Sequence, residues 1–361
     1  MKARAAGRGE STRRTATRAA LGALAGATLW LGVTPAVAGA HGPVAPVATS
    51  YLARIRSVPA GLQAKIVDGY VRMWLRVDPA KTVTVLDYRG VPYVRFTRSG
   101  VAVNESSEMY YLNQTPYPWA VPAGLTRRTP ARWLSLGGGH TYEWHDGRLQ
   151  ALASVALAPG TAYVGRWSIP ILLDGRPTVI AGGLWHAPKP SIVWFWPLIV
   201  LVACALAAWR VHSAALDARV ARILGTAGLI GLVVACVARE LHGRPGVSPF
   251  QYVELACVSL FALWELWRLL LDRAGFFSYA LIAFVALWQG LDLVPTLVNG
   301  FVLVELPAAV VRAAAVTCLG CAVGLALVVF RLDDLEQITS RRRLRRRSAT
   351  SDGARTARSG A

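Results

Sequence analysis

Five apolar stretches follow residue 190 and limit the fold more than any other feature: Ile192–Trp209, Ile223–Ala238, Tyr252–Leu271, Phe276–Pro295 and Ala308–Phe330. Most approach the ~20 residues that carry a helix across the ~30 Å hydrocarbon core of a bilayer. Lipid offers no partner to a backbone N–H or C=O, so a spanning segment of this kind has to be helical. The expectation is an all-α bundle of five transmembrane helices over residues 191–330, with Ile223–Ala238 the shortest. Composition agrees. Of 361 residues, 54% are hydrophobic and only 16% are charged, whereas about a quarter of a soluble domain is charged. The 13 Trp argue against a disordered basic chain, because they supply surface to bury.

The net charge of +19 lies mostly outside the apolar half. Residues 1–40 hold six Lys/Arg and one acid, residues 41–190 sixteen and eight, residues 191–330 eight and seven, and residues 331–361 nine and four. The dense basic runs flank apolar segments, which points to a lipid bilayer as partner and away from nucleic acid. Residues 1–40 read as a signal peptide. Lys2, Arg4, Arg8, Arg13, Arg14 and Arg18 precede the apolar run Ala19 to Val33, and Ala38-Gly39-Ala40 gives a small-x-small cleavage pattern that leaves His41 first. Thr15-Ala16-Thr17 after the arginine pair fits the twin-arginine pattern poorly, so the general export route is expected. Residues 41–190 would then be extracytoplasmic. Arg210, Arg219, Arg222, Arg268, Arg273 and the tail arginines from Arg341 to Arg347 would lie inside and the 239–251 loop with Arg239 and Arg244 outside, which matches the positive-inside rule at three of four junctions. Residues 331–361 form a basic cytoplasmic tail in this reading, which places a multi-pass protein in the plasma membrane.

Residues 41–190 lack Cys and alternate with period two. Ala64–Val67, Tyr70–Val77, Thr82–Leu86, Tyr93–Phe96 and Gly100–Asn104 read as successive strands, with Asp68-Gly69 as a hairpin signal. A late hairpin runs from Tyr163 to Trp185 around Asp174-Gly175, and Pro170 suggests an edge or a bulge there. Many short strands imply an all-β exported sandwich of Ig-like type. Pro188 and Pro190 look like a stiff linker, and Trp194, Phe195 and Trp196 like an interfacial belt.

The spacing of Tyr163, Trp167, Asp174-Gly175-Arg176-Pro177 and Gly182 resembles the last hairpin of CopC-like copper-binding sandwiches. More broadly, Asp87 to Arg95, Gly100 to Asn104, Tyr111-Leu112-Asn113 and Trp144 to Arg148 look like a family of uncharacterised actinobacterial membrane proteins. That resemblance implies an exported β domain followed by membrane helices, and no established activity. Gly147 and Gln150 stand where the family pattern carries histidine, so a multi-histidine site would lack two imidazoles here.

Three sets of residues carry candidate chemistry. His41, as the mature terminus, has an α-amine and an imidazole that together suit Cu(II), with His140 or His145 as a further ligand. His145, Asp146 and Arg148 form the densest polar cluster of the domain and are candidates for ligand binding, although neighbouring strand residues point to opposite faces. In the helices, Glu254, Asp292, Glu305 and Arg312 fall at similar depth near the outer surface, where unpaired charge is costly. Arg312 is expected to pair with Glu254 or Asp292, either as packing or as an ion entry site. Cys257, Cys318 and Cys321 lie in spans, and Cys318-Leu319-Gly320-Cys321 places two thiols one turn apart, which suits close helix packing. No nucleophile, zincin or phosphate-loop motif occurs in the exported domain. The expectation is a non-enzymatic envelope protein without a cofactor, whose β domain binds a ligand, an envelope protein or a membrane complex. The alternative is a copper-handling or transport protein.

Overall fold

The computed structural model describes residues 46–329 apart from 115–116, 156, 158–159, 200–201, 204–213 and 244–245. The signal segment, His41, Cys204 and the basic tail lie outside the described residues.

After β1 (Ala48–Thr49) the chain enters β2 (Tyr51–Ser57), β3 (Leu62–Val67), β4 (Arg72–Val77), β5 (Val83–Leu86), β6 (Pro92–Thr97) and β7 (Gly100–Asn104). The short helix α1 (Glu108–Leu112) precedes β8 (Trp133–Gly137) and β9 (Thr141–His145). Next come α2 (Gly147–Gln150) and the long hairpin β10 (Tyr163–Leu173) and β11 (Arg176–His186). All the pairings are antiparallel: a seven-stranded sheet ordered β2-β11-β10-β5-β6-β7-β8 and a three-stranded sheet ordered β3-β4-β9. Met73, Leu75, Val77 and Trp144 from the small sheet share one core with Val85, Phe96, Ile169 and Ile180 from the large one. That is the alternating inner-face packing of a sandwich.

Turn chemistry explains the hairpins. Asp174 and Gly175 both take positive φ, 49° and 79°, and Leu173 pairs directly with Arg176, as a two-residue primed turn requires. Asp68 and Gly69 also take positive φ between β3 and β4. The expected edge position of Pro170 is corrected: β10 is an interior strand, and Pro170 stands where its ladder with β5 ends at Ile171.

Beyond the sandwich lie α3 (Ala214–Glu240), α4 (Pro249–Leu270), α5 (Phe276–Asp292), the short α6 (Val294–Val298), β12 (Phe301–Val302) and α7 (Ala308–Val329). Two helices among the described residues, not five, are long and apolar enough to cross a membrane: Leu216–Glu240 within α3, and α7. Helix α4 has the length, 22 residues, but carries Glu254, Glu265 and Arg268. Helix α5 stops after 17 residues, and Pro295 follows at the start of α6. Of the first expected span, residues 200–201 and 204–209 lie outside the described residues, and the described part opens with a 3-10 turn over Ile192–Phe195.

The helices nevertheless turn bulky apolar side chains outward. Ile223, Ile230, Leu260, Leu263, Leu270 and Trp288 are each more than 60% exposed. Apolar surface on this scale usually marks an interaction face. Charges gather at the two ends: Arg222, Arg268, Asp272 and Arg273 at one, Arg239, Glu240, Glu254 and Asp292 at the other. The helix from Arg222 to Glu240 spans ~27 Å, close to the ~30 Å of a hydrocarbon core.

The sandwich joins the second of these ends. β1 pairs with β12, Ala48 opposite Val302 and Thr49 opposite Phe301. The Leu303 N–H donates to the Val47 carbonyl at 2.8 Å, and the Glu305 N–H to the Ala238 carbonyl at 2.9 Å. Ser50 Oγ donates to Asn299 Oδ1 at 2.9 Å. Val47 itself is buried among Ala235, Leu297 and Val311.

Candidate functional site

The outer face of the large sheet carries arginines stacked on aromatic rings. Ala53 and Trp167 face the core, so their neighbours Arg54 and Arg166 face outward. Both stand opposite Gly183 in the register, Arg54 on the β2 side and Arg166 on the β10 side. Tyr163 and Trp185 are paired across the β10–β11 ladder, and their ring centroids lie 5.3 Å apart. A Cβ at position 183 would come within 2.8 Å of the Tyr163 ring and 2.9 Å of the Trp185 ring. Glycine there lets both rings lie over the strand. The Arg56 guanidinium sits 5.1 Å from the Tyr163 centroid and 5.2 Å from that of Trp185, and Arg54 lies 5.4 Å from Trp185. Each such stack contributes ~0.5–1 kcal/mol at an exposed site. It also holds a planar fork of donors in place, a geometry suited to carboxylate, sulfate or phosphate.

A second stack lies on the same face. Val94 and Phe96 are buried, so Arg95 between them faces outward, 4.2 Å from the Trp133 ring centroid. Four strand spacings separate β2 from β6, and the register sets Arg95 level with Leu172, six residues along β10 from Arg166, so the two stacks lie about 19 Å apart across the sheet and about 20 Å along it.

The acids of the sandwich are consumed internally. Arg72 is shared between Asp68 and Glu143. Arg89 pairs with Glu108, Arg132 with Glu105, Arg148 with Asp146 and Lys81 with Asp174. Asp87 accepts from the N–H of Arg89 and Val91 and from Ser107 Oγ, and Asp78 accepts from the N–H of Ala80. Arg54, Arg56 and Arg166 have no carboxylate partner among the described residues, and all three are exposed. The outward field of this face is therefore positive.

The polar cluster expected at residues 145–148 divides. Asp146 is fully buried and caps α2. It accepts from Trp144 Nε1 at 2.9 Å, Arg148 Nε at 2.8 Å and the Arg148 N–H at 3.1 Å. Arg148 also donates to the Leu86 carbonyl at 2.9 Å and lies over the Tyr88 ring. His145 pairs with Arg72 in the sheet, and its backbone is held by Asn113. Burial pushes the His145 imidazole below its usual pKa of 6.5, and nearby Arg72 adds to the shift. His145 and Asp146 thus serve different neighbours, and Asp146 has its hydrogen-bonding capacity filled from within.

Nor are the candidate metal ligands assembled. His140 and His145 are separated by the length of β9, ~16 Å at the rise of a strand. Among the described residues no group of three or more His, Cys, Asp or Glu is placed to hold a metal ion.

At the end of the helical bundle nearest the sandwich, the structure selects a different arginine from the expected one. Arg239 binds Asp292 at 2.6 Å and also reaches Glu240 and Glu254, so one guanidinium links α3, α4 and α5. Arg312 instead donates to the carbonyls of Thr296, Asn299 and Gly300 at 2.9, 3.2 and 3.3 Å. These carbonyls lie in the last turn of α6 and just beyond it, where helix C=O groups lack internal partners. Glu305 lies 3.7 Å from His242 Nδ1. Arg239 was counted in the sequence as an outer-loop charge. Its i, i+1 neighbour Glu240 gives no sign that the side chain turns back toward α4 and α5.

The thiols pack. Cys318 and Cys321 are buried and free, whereas Cys257 is exposed. Gly231 faces Cys318 Sγ, and Gly228 faces Cys321 Cβ, with added Cβ atoms meeting them at 3.2 and 3.3 Å. Small residues on both helices allow this close approach of α3 and α7.

The chain matches no family model, no curated protein and no solved structure.

Proposed function

We propose that this is a membrane-anchored binding protein of the cell envelope, whose extracytoplasmic sandwich captures an acidic polymer on the outer face of its large sheet. The observation that carries this reading is the Arg54–Arg56–Tyr163–Trp185 stack, exposed on the sheet while the acids of the sandwich are already engaged by other partners. Aromatic rings supply a flat platform for a sugar ring or polymer backbone, and the guanidinium forks supply anion recognition. Two stacks displaced by about 19 Å across the sheet and about 20 Å along it favour an extended ligand over a single small one. The apolar helices anchor the protein in the plasma membrane as a multi-pass bundle, with the tail on the cytoplasmic side. Binding rather than catalysis is favoured because Asp146, the most buried acid of the candidate cluster, is engaged by Arg148 and Trp144.

The test uses the full-length protein in mild detergent on beads carrying polygalacturonate or neutral dextran. Wild type should be retained by the acidic polymer and released by salt. Replacing Arg54 and Arg56 together by Ala should weaken retention at least about tenfold, since a charge-assisted hydrogen bond contributes ~1.5–3 kcal/mol. Equal retention of wild type and the double variant would sink the proposal.

A further inference from the structure

A groove of about 500 Å³ runs between α3 and α4 at the end of the bundle remote from the sandwich. Its floor is Thr226 and Ala227, and its walls are Ile223, Ile230, Leu269 and Leu270. The α3 residues recur at i, i+3, i+4 and i+7, so they form one stripe of that helix. Ile223 and Ile230 are each 61% exposed and Leu270 is 75% exposed, so bulky rims stand over a small-residue floor. An open apolar channel on the outer surface of the helical bundle fits a hydrocarbon chain.

The mouth of the groove is basic. Arg222 closes it and reaches Asp272 at 2.6 Å. That pair is loose, since Asp272 is 74% exposed and Arg222 48%. Arg219 lies one turn before Arg222 and is exposed, and Arg273 lies over the Trp267 ring at 5.7 Å. Trp264 and Trp267 are in ring contact, both outward-facing, and belong to the side-chain type that settles at a headgroup interface. The other acids at this end, Asp217 and Glu265, are 1% and 3% exposed, so Asp272 alone offsets the arginines at the surface.

We infer that this groove is a binding site for one anionic phospholipid, its acyl chain in the channel and its phosphate among Arg222, Arg219 and Arg273. The choice of an anionic lipid over a neutral one rests on charge complementarity at the mouth, because the channel itself would accept any acyl chain. Basic pockets between membrane helices on the cytoplasmic side are suited to such headgroups. The inference rests on the membrane-spanning reading of the bundle and is independent of the polymer site.

The experiment reconstitutes full-length protein in nanodiscs of phosphatidylglycerol and phosphatidylcholine, transfers it to mild detergent, and counts co-purifying lipid by mass spectrometry. Wild type should retain phosphatidylglycerol several-fold over its bulk proportion. Arg222→Gln with Arg273→Gln should bring retention to the bulk ratio, and Ala227→Trp should expel lipid of both kinds. Soluble glycerol phosphate should not displace the bound lipid. Thermal unfolding in neutral detergent identifies folded variants, and Thr226→Leu replaces Ala227→Trp if the latter unfolds. Retention at the bulk ratio by wild type, or enrichment that survives both the arginine and the groove-filling variants, would overturn the assignment. Displacement by glycerol phosphate would overturn the role of the acyl chain. Carbonate extraction of the native membrane is run first, and release of the protein would overturn the spanning reading and this site with it.

Discussion

Single residues in the sandwich have opposite tolerances. Gly183 lies beneath two rings, so Gly183→Val should displace Tyr163 and Trp185 and weaken acidic-polymer retention about as much as losing the arginines. Overpacking also costs ~1–3 kcal/mol, to be read as a lower melting temperature. Asp146 is a harsher case. Asp146→Ala leaves Arg148 and Trp144 Nε1 facing an empty position, and breaking a buried ion pair from one side costs ~3–5 kcal/mol; urea unfolding measures it. His145 links stability to pH. Its folded pKa is lowered by burial and by Arg72, so the unfolded chain takes up the proton first as pH falls. Its contribution is complete above the ordinary value of 6.5 and disappears as pH drops through the lowered folded value. Melting temperatures between pH 7.5 and 5.5 should fall more steeply for wild type than for His145→Asn; parallel curves would remove His145 as the cause. At this scale the sequence exposed which residues were polar and clustered, but not what they faced. The Asp146–Arg148 pair was visible as neighbours, whereas the contact of Arg54 with Trp185 joins residues 131 positions apart and left no local pattern.

At the scale of elements, alternation and turn chemistry made β3 to β7 and the β10–β11 hairpin legible. Strand β8 escaped because four of its five residues are exposed and the fifth is half-buried, so it shows no buried face to produce a signal. Strand β2 escaped although Ala53-Arg54-Ile55-Arg56 alternates as a half-buried strand does, because the alternation covers only four residues. The helical half was legible as apolar length, but helix ends were not: α5 stops at Asp292, three residues before the expected limit at Pro295, because α6 begins a new turn there. Contacts between helices depend on rotation about their axes, which hydropathy does not carry. Hence the exchange of Arg312 for Arg239 as the carboxylate partner. The α3–α7 contact yields a prediction at this scale. Gly228→Leu should drive α7 away from α3 and lower the melting temperature in detergent, while Cys318→Ala should cost little because it keeps a small residue at the contact. Equal effects from the two changes would contradict packing as the role of the C-x-x-C pair.

The whole molecule separates its charges by function. The sandwich pairs its carboxylates within itself and leaves Arg54, Arg56 and Arg166 exposed, and the bundle confines ionisable groups to two belts ~27 Å apart. The sandwich is fastened to the bundle twice, by the chain through residues 187–190 and by the β1–β12 pairing, where Ala48 and Thr49 lie against Val302 and Phe301. Proteolytic cleavage within residues 187–190 should therefore leave the sandwich associated with the membrane fraction in neutral buffer; its release there would contradict the second attachment. This double fastening has a mechanical meaning. A domain hung from one tether swivels, and a pull on it is spent in turning the linker. A domain clamped at two points behaves as a lever. Under the proposed function, tension along a bound polymer would act through β1 on β12 and on the end of α3, where Arg239 grips three carboxylates.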